Sequence, residues 1–381
     1  MTLLTCCIGS GSHHQQQRYH LLEAASFGKK SQLGIQIGIG IGLASFGNKS
    51  QLGTGIGSGI WIEEGADRGS SAKKTRSGSG VRRRSSNWSP QERARVFMSA
   101  VGTEKEMEME LKHAGFEGPP VQIPKLGLGV YMAAPRDAYQ ATLAALKTGY
   151  RHVDTAAVYG NERDVGQAVR DSHIPRQEVF ITTKLWNSDQ GYDNTLRAFN
   201  RSLAALGFDY VDLYLVHSPM AVDKRLHTWR AMEEILKSGR ARAIGVSNYG
   251  VHHLKELFAN CEIRPSINQV ELTPFNAREA LVKFCEEENI VLEAYSPLTR
   301  GKRLNHKTLV QMAQKYHKST AQLLIRWCLQ RNFVTLPKSV TPTRILENSQ
   351  VFDFSISPED MTKLDGLDEG WVSGWDPTKG R

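Results

Sequence analysis

The stretch "GYRHVDTAAVYGNE", Gly149 to Glu162, closes a short apolar run on a carboxylate, Asp154, and sets a phenol, Tyr159, five residues further on. Two later apolar runs, "VFITTKLW" and "VDLYLVHS", end on Lys184 and His217. A phenol has an ordinary pKa near ~10 and is a poor proton donor at neutral pH. A neighbouring ammonium would stabilise the phenolate and lower that pKa, and a carboxylate bonded to the ammonium would fix its position and charge. His217 could hold a substrate oxygen, so the four together would aim a proton donor at a carbonyl. Singly they have plainer readings. A lone strand-end histidine is commonly structural, a lone lysine solvated, and Asp154 could cap the next helix, although Asn161 is better placed for that.

What matters is which elements bring the four together. From about Val121 onward, short apolar runs alternate with amphipathic stretches of ten to sixteen residues. The runs are "KLGLGVY", "HVDTA", "VFITTKLW", "VDLYLVHS", "ARAIGVSN", "INQVEL", "VLEAYSPL" and "FVTLPKSV". The stretches between them, such as "DAYQATLAALKTG" and "TLRAFNRSLAALG", repeat apolar residues at three-to-four spacing, with Tyr139, Leu143 and Leu146 as one such face. Gly149, Gly207 and Gly239 stand just past helix ends, where a left-handed C-cap is wanted. Eight strand–helix units in this length predict an α/β fold, a (β/α)8 TIM barrel, over residues 98–381. A doubly wound open sheet would need a phosphate-cradling glycine loop after its first strand, and "GLGVYMAAPRD" has none. In a barrel the chemistry sits at the C-terminal strand ends, and Asp154 with Tyr159, then Lys184, then His217 fall on three consecutive ones.

Residues 1–97 read differently. They hold 16 of the chain's 34 glycines and 13 Lys and Arg against 5 Asp and Glu, leaving 35 basic and 34 acidic residues for 98–381. This segment therefore carries +8 of the net charge of +9, which argues poorly for nucleic-acid binding by the folded part. A near-repeat, "ASFGKKSQLGIQIGIGIG" from Ala25 and "ASFGNKSQLGTGIGSGI" from Ala44, has too few copies for a solenoid. Gly38, Gly40 and Gly42 resemble a dinucleotide loop, but no helix pattern follows them. The segment is expected to be a disordered Gly/Ser/Arg-rich stretch. It would be a gene-model extension upstream of Met98 or, given "KKTRSGSGVRRRSS", an organellar transit peptide. Five dispersed cysteines suggest reduced thiols, Cys6 and Cys7 lack nearby partner ligands for a metal, and no apolar run approaches the ~20 residues of a membrane span. The expectation is a cytoplasmic monomer that holds no metal, nucleic acid or membrane.

The blocks "GYRHVDTAAVYGNE", "ITTKLWNS", "DLYLVHSP", "GVSNYG", "NQVEL", "AYSPL" and "LPKSVTPTRILEN" stand in the order of the aldo-keto reductases, which the chain resembles from about residue 120 to 370. That resemblance implies a barrel binding NADPH across its mouth, with Asp154, Tyr159, Lys184 and His217 as catalytic tetrad and Tyr159 as the acid. It further implies that Ser247, Asn248 and Gln269 bond the nicotinamide carboxamide, and that Tyr295 stacks under the nicotinamide ring. Ser296 and Leu298 would meet the pyrophosphate. Lys338, Ser339 and Arg344 would clamp the 2′-phosphate of the adenosine, cations and a hydroxyl converging on a dianion, and Glu347 and Asn348 would face the adenine. Tyr131, Val158 and Trp186 are expected to line a small-carbonyl pocket, roomier at Ser218, with Trp371 and Trp375 as further walls. The short connection "PLTRGKRLNHKTL" resembles microbial and plant-type members that reduce aldehydes, dicarbonyls and keto compounds. The alternative within the superfamily is an NADPH-binding regulatory or scaffold subunit.

Overall fold

The structure, a computed structural model, describes residues 107–381. The expectations for residues 1–97 lie outside the described residues. Two short strands come first, β1 (Glu108–Leu111) and β2 (Val121–Pro124), paired antiparallel. Eight parallel strands follow: β3 (Leu128–Gly129), β4 (His152–Asp154), β5 (Phe180–Leu185), β6 (Val211–Val216), β7 (Ala241–Ser247), β8 (Ile267–Glu271), β9 (Val291–Tyr295) and β10 (Val334–Leu336). They neighbour one another in sequence order. The ring closes between its first and last strands through the parallel bridges Leu126–Thr335 and Gly129–Lys338. Every barrel strand coincides with one of the eight apolar runs. The hairpin was not legible in that pattern, because its strands, EMEL and VQIP, alternate apolar with polar residues and form no apolar run.

Between the strands run α1 (Pro135–Lys147), α2 (Glu162–Asp171), α3 (Tyr192–Leu206), α4 (Arg225–Lys237), α5 (Val251–Phe258) and α6 (Glu279–Glu287). Two helices, α7 (Lys307–Lys315) and α8 (Thr320–Gln330), fill the connection from β9 to β10, and α9 (Pro342–Ser349) and α10 (Pro358–Asp365) follow. Gly149, Gly207 and Gly239 all take positive φ, as a left-handed cap requires. The face chosen for α1 was off by one position. Ala138, Ala141, Thr142, Ala145 and Leu146 are buried, while Tyr139 and Leu143 lie at the edge. Small residues let the helix approach the barrel closely, so size outranked hydropathy there. At one further contact only glycine fits: a Cβ on Gly166 of α2 would lie 1.9 Å from the Leu206 carbonyl oxygen ending α3.

Side chains of a strand alternate between faces, and here the alternation sorts two cores. Ile181 and Leu185 of β5, Tyr214 and Val216 of β6, Ile244 and Val246 of β7 and Leu292 and Ala294 of β9 face the helices. Phe180, Leu213, Leu215, Ala243, Ile267 and Val334 fill the interior from below, and Leu111, Val121 and Ile123 of the hairpin join that cluster. Above this apolar floor the same inward positions turn polar, with His152 and Asp154 on β4, Thr182 and Lys184 on β5, Gln269 on β8 and Glu293 on β9, all buried. The floor keeps water from the lower end, and polarity is confined to the end where the strands terminate.

Candidate active site

Asp154 is the last residue of β4, and the chain turns at once into a short 3-10 turn, Ala157–Tyr159. Gly160 ends it with φ 68°, a conformation glycine takes without strain. Asn161, expected as a helix cap, makes no side-chain cap bond. It sits buried beneath the turn instead, accepting from Thr155 Oγ1 at 2.7 Å and donating to the Val130 and Ala133 carbonyls at 3.1 and 3.2 Å. These bonds tie the β4 loop to the β3 loop and fix where the phenol points.

Lys184 is fully buried on β5. Its ammonium donates to Asp154 Oδ1 and Oδ2 at 2.6 and 2.7 Å and to the Thr155 carbonyl at 3.0 Å, with the Tyr159 hydroxyl farther out at 3.4 Å. His217, just past β6, packs edge-on against Tyr159 at 5.7 Å and against Trp186 at 5.0 Å between ring centroids. The four expected residues therefore do meet at one mouth. Burial together with the Lys184 charge holds His217 neutral, its pKa well below the usual histidine range. Its Nδ1 is buried with no partner and its Nε2 makes no hydrogen bond among the described residues. A neutral imidazole with an unspent nitrogen suits a substrate oxygen.

The electrostatics of Tyr159 differ from expectation. Its pKa is raised well above the ordinary phenol value, first by burial and then by the negative charge of Asp154, with Arg300 pulling weakly the other way. The Lys184 charge is absorbed by the two closer carboxylate oxygens, so it does not pull the phenol down. Tyr159 is thus fully protonated at neutral pH, the form an acid must have before it reacts. Burial raises the Asp154 pKa above the ordinary carboxylate value, against the opposing pull of the Lys184 charge and of its hydrogen bonds from Lys184 and Gln269.

Around this centre lie polar groups suited to a nicotinamide. Asn248, at φ 63°, donates to the His217 carbonyl at 3.0 Å and to Ser247 Oγ at 3.1 Å, and accepts from the Tyr295 hydroxyl at 2.9 Å. Ser247 Oγ donates to the Gln269 carbonyl at 2.9 Å. Gln269 itself turns inward: its amide nitrogen donates to Asp154 Oδ2 at 2.9 Å and to Glu293 Oε2 at 2.7 Å. Only its oxygen is left for a carboxamide. Ser296 and Leu298 follow β9 into the 3-10 turn Thr299–Gly301. Beyond β10, Lys338 and Arg344 are exposed and form no ion pair among the described residues, while buried Ser339 hydrogen-bonds within its own turn to Thr341. Glu347 and buried Asn348 lie on α9 beside them. Two unpaired cations flanking a hydroxyl fit a phosphate dianion.

The pocket residues divide. Tyr131 lies 5.0 Å from the Tyr159 ring, Val158 is exposed beside it, and Trp186 lies against His217. Ser218 does not join them. It is fully buried and donates to Asn187 Oδ1 at 2.7 Å, so it pins the turn after Trp186 instead of widening the mouth. Trp371 packs edge-on against Phe275, and Trp375 is exposed. The Arg300 guanidinium, by contrast, lies over the Tyr131 ring at 5.6 Å. Sequence reasoning passed over it as part of a short loop. It also passed over Glu293, although Tyr295 was placed in the mouth and strand parity puts Glu293 on the same inner face. Among the described residues no group of His, Cys, Asp and Glu could hold a metal ion, and no helix is long and apolar enough to cross a membrane.

Residues 125–369 match the model of the aldo/keto reductase family. The glyoxal reductase of Bacillus subtilis (strain 168) is 48% identical over 258 residues, 68% of this chain and 93% of that protein. The 9,11-endoperoxide prostaglandin H2 reductase of Trypanosoma cruzi (strain CL Brener) is 48% identical over 261 residues, 68% of this chain and 92% of its own length. Among solved structures, an aldo-keto reductase of Bombyx mori in complex with NADP superposes with a TM-score of 0.63 at 35% identity, covering 70% of this chain and 95% of that one.

Proposed function

The chain belongs to the aldo/keto reductase family, oxidoreductases that act on carbonyl groups with a nicotinamide cofactor, and within it we propose an NADPH-dependent reductase of small aldehydes and dicarbonyls with Tyr159 as proton donor. The observation that carries this reading is the Lys184 ammonium, buried between the Asp154 carboxylate and the Tyr159 hydroxyl at the barrel mouth. A bound reduced nicotinamide would supply the hydride. Tyr159, protonated and buried, would give its proton to the substrate oxygen as charge develops there. Lys184 would then stand 3.4 Å from the new phenolate, where its charge becomes useful. His217 would orient the carbonyl through its free ring nitrogen, with Trp186, Tyr131 and Val158 as aromatic and apolar walls.

Ser247, Asn248 and the Gln269 oxygen would hold the carboxamide, and Tyr295 would lie under the ring. Lys338, Ser339 and Arg344 would prefer NADPH to NADH, since only the former brings a 2′-phosphate. The dicarbonyl preference is drawn from the glyoxal reductase and is the finer part of the proposal. Cys261, Cys285 and Cys328 are free thiols, which fits a reducing compartment, and the cytoplasm is the one we propose.

The test is NADPH oxidation by the full chain with a panel of small aldehydes and dicarbonyls, for wild type and Tyr159→Phe. Removing the phenolic proton should cost on the order of 10²–10⁴ in kcat, the usual worth of general acid catalysis. NADPH affinity should be retained, because Tyr159 is not among the residues proposed to hold the cofactor and the ring stays in place. Unchanged turnover in the variant would refute Tyr159 as the acid. Tight NADPH binding with no turnover on any panel member would overturn the reductase and favour the regulatory subunit.

A further inference from the structure

Four inward residues extend the site downward into the barrel. Gln269 spends both hydrogens of its amide nitrogen on carboxyl groups, Asp154 Oδ2 at 2.9 Å and Glu293 Oε2 at 2.7 Å. Beyond Glu293 stands His152, whose Nδ1 lies 3.3 Å from the Pro124 carbonyl and whose Nε2 lies 3.1 Å from Thr182 Oγ1. A carbonyl oxygen only accepts, so the Nδ1 of His152 carries the hydrogen and its Nε2 accepts from the Thr182 hydroxyl. Burial holds this histidine neutral, its pKa lowered to about 3. That Nε2 also faces Glu293 Oε1 across 3.7 Å, and Oε1 has no hydrogen-bond partner. A buried carboxylate oxygen with no donor and no cation in reach is costly unless a proton resides in the site, and His152 Nε2 does not bear one. The remaining place is Glu293 Oε1.

The charge balance agrees. The titratable groups facing Glu293 are His152 and Asp154 from β4, Lys184 from β5 and the Tyr159 phenol from the β4 loop, with Gln269 of β8 between. Lys184 balances one carboxylate and that one is Asp154, at 2.6 and 2.7 Å. Burial and the Asp154 charge push the Glu293 carboxyl up to about 8.

We propose that Glu293 is a positioning residue of the reductase site: as a neutral acid it anchors Gln269, which orients Asp154 and presents its amide oxygen to the cofactor, and loss of that proton places a second negative charge behind the Asp154–Lys184 pair. The proposal rests on the reductase reading for its kinetic consequence only. A second charge there opposes development of the Tyr159 phenolate, so reduction slows as Glu293 ionises. Glutamine copies the neutral acid, accepting from Gln269, and cannot ionise.

Two measurements on the full chain, wild type and Glu293→Gln, decide it. In the pH–rate profile of aldehyde reduction, each normalised to its value at pH 6.5, wild type is expected to fall several-fold between about pH 7 and 9 while Glu293→Gln stays flatter. Coincident profiles would overturn the proposal. The second readout is equilibrium unfolding in urea from about pH 5 to 9, which needs no turnover. A carboxyl with a raised folded pKa contributes stability below its unfolded pKa and loses it as pH rises through the folded one. Wild type should therefore lose ground to Glu293→Gln with rising pH and level off above about 8. A difference independent of pH would refute the buried proton. If wild type reduces nothing on the panel but the stability difference still falls with pH, the neutral Glu293 and its hold on Gln269 stand, and the reductase reading fails.

Discussion

The Asp154–Lys184 pair should be a cost to folding that the chain carries for its chemistry, and a mutant cycle can show it. Lys184 is fully buried and Asp154 nearly so. Lys184→Met leaves Asp154 with Gln269 as its one strong donor, and Asp154→Asn leaves a buried ammonium with a carboxamide oxygen, the Thr155 carbonyl and a distant phenol. Breaking a buried pair from one side typically costs about 3–5 kcal/mol, whereas replacing both partners by neutral groups of similar volume is often neutral or stabilising. Each single variant should lose about that much, roughly 6–20 °C in Tm at 2–4 °C per kcal/mol. The double variant should return to within ~2 kcal/mol of wild type, because methionine fills the lysine stem and asparagine still accepts from Gln269. Additivity would instead predict a loss of about 6–10 kcal/mol. Urea unfolding of the four proteins at pH 7 measures the cycle, and NADPH oxidation should be lost in all three variants. Single variants costing less than ~1 kcal/mol, or an additive double, would refute the claim that this charge pair is buried against the interest of stability.

Lys338→Ala should weaken NADPH roughly ten- to hundred-fold, the worth of a charge-assisted bond, and leave NADH within about twofold; fluorescence titration with both would show it, and equal weakening would refute the 2′-phosphate assignment. Gly166→Ala places a methyl 1.9 Å from the Leu206 carbonyl oxygen, so it should destabilise by about 1–3 kcal/mol in thermal unfolding. A gain near ~1 kcal/mol, as for a glycine in an exposed helix, would show that α2 and α3 do not approach as closely as described.

The eight strands, their order and the meeting of Asp154, Tyr159, Lys184 and His217 at one mouth were legible because local pattern encodes them. An apolar run bounded by turn residues reads as a strand wherever it packs, and the end of such a run is a position in the chain. His152, Gln269 and Glu293 were harder. Each sits in an apolar run and looks like a strand interior, and only parity, counted back from Asp154 or Tyr295, puts it inside the ring. Gln269 is expected from the sequence to bond the nicotinamide carboxamide; in the fold its nitrogen is claimed by two carboxyl groups from strands 115 and 24 residues away. Ser218 failed for a related reason, its hydroxyl being taken by Asn187 across 31 residues.

The amino-acid sequence by itself determined the barrel, the strand ends and the family of chemistry, since periodicity and ordered motifs are properties of neighbours along the chain. Only the tertiary structure decided which polar and charged groups meet. The phenol is kept protonated, the lysine is paired with Asp154, and Glu293 is brought against His152 by the closing of the ring, because electrostatics in a dry interior depends on distances of a few ångströms between residues that the chain keeps far apart.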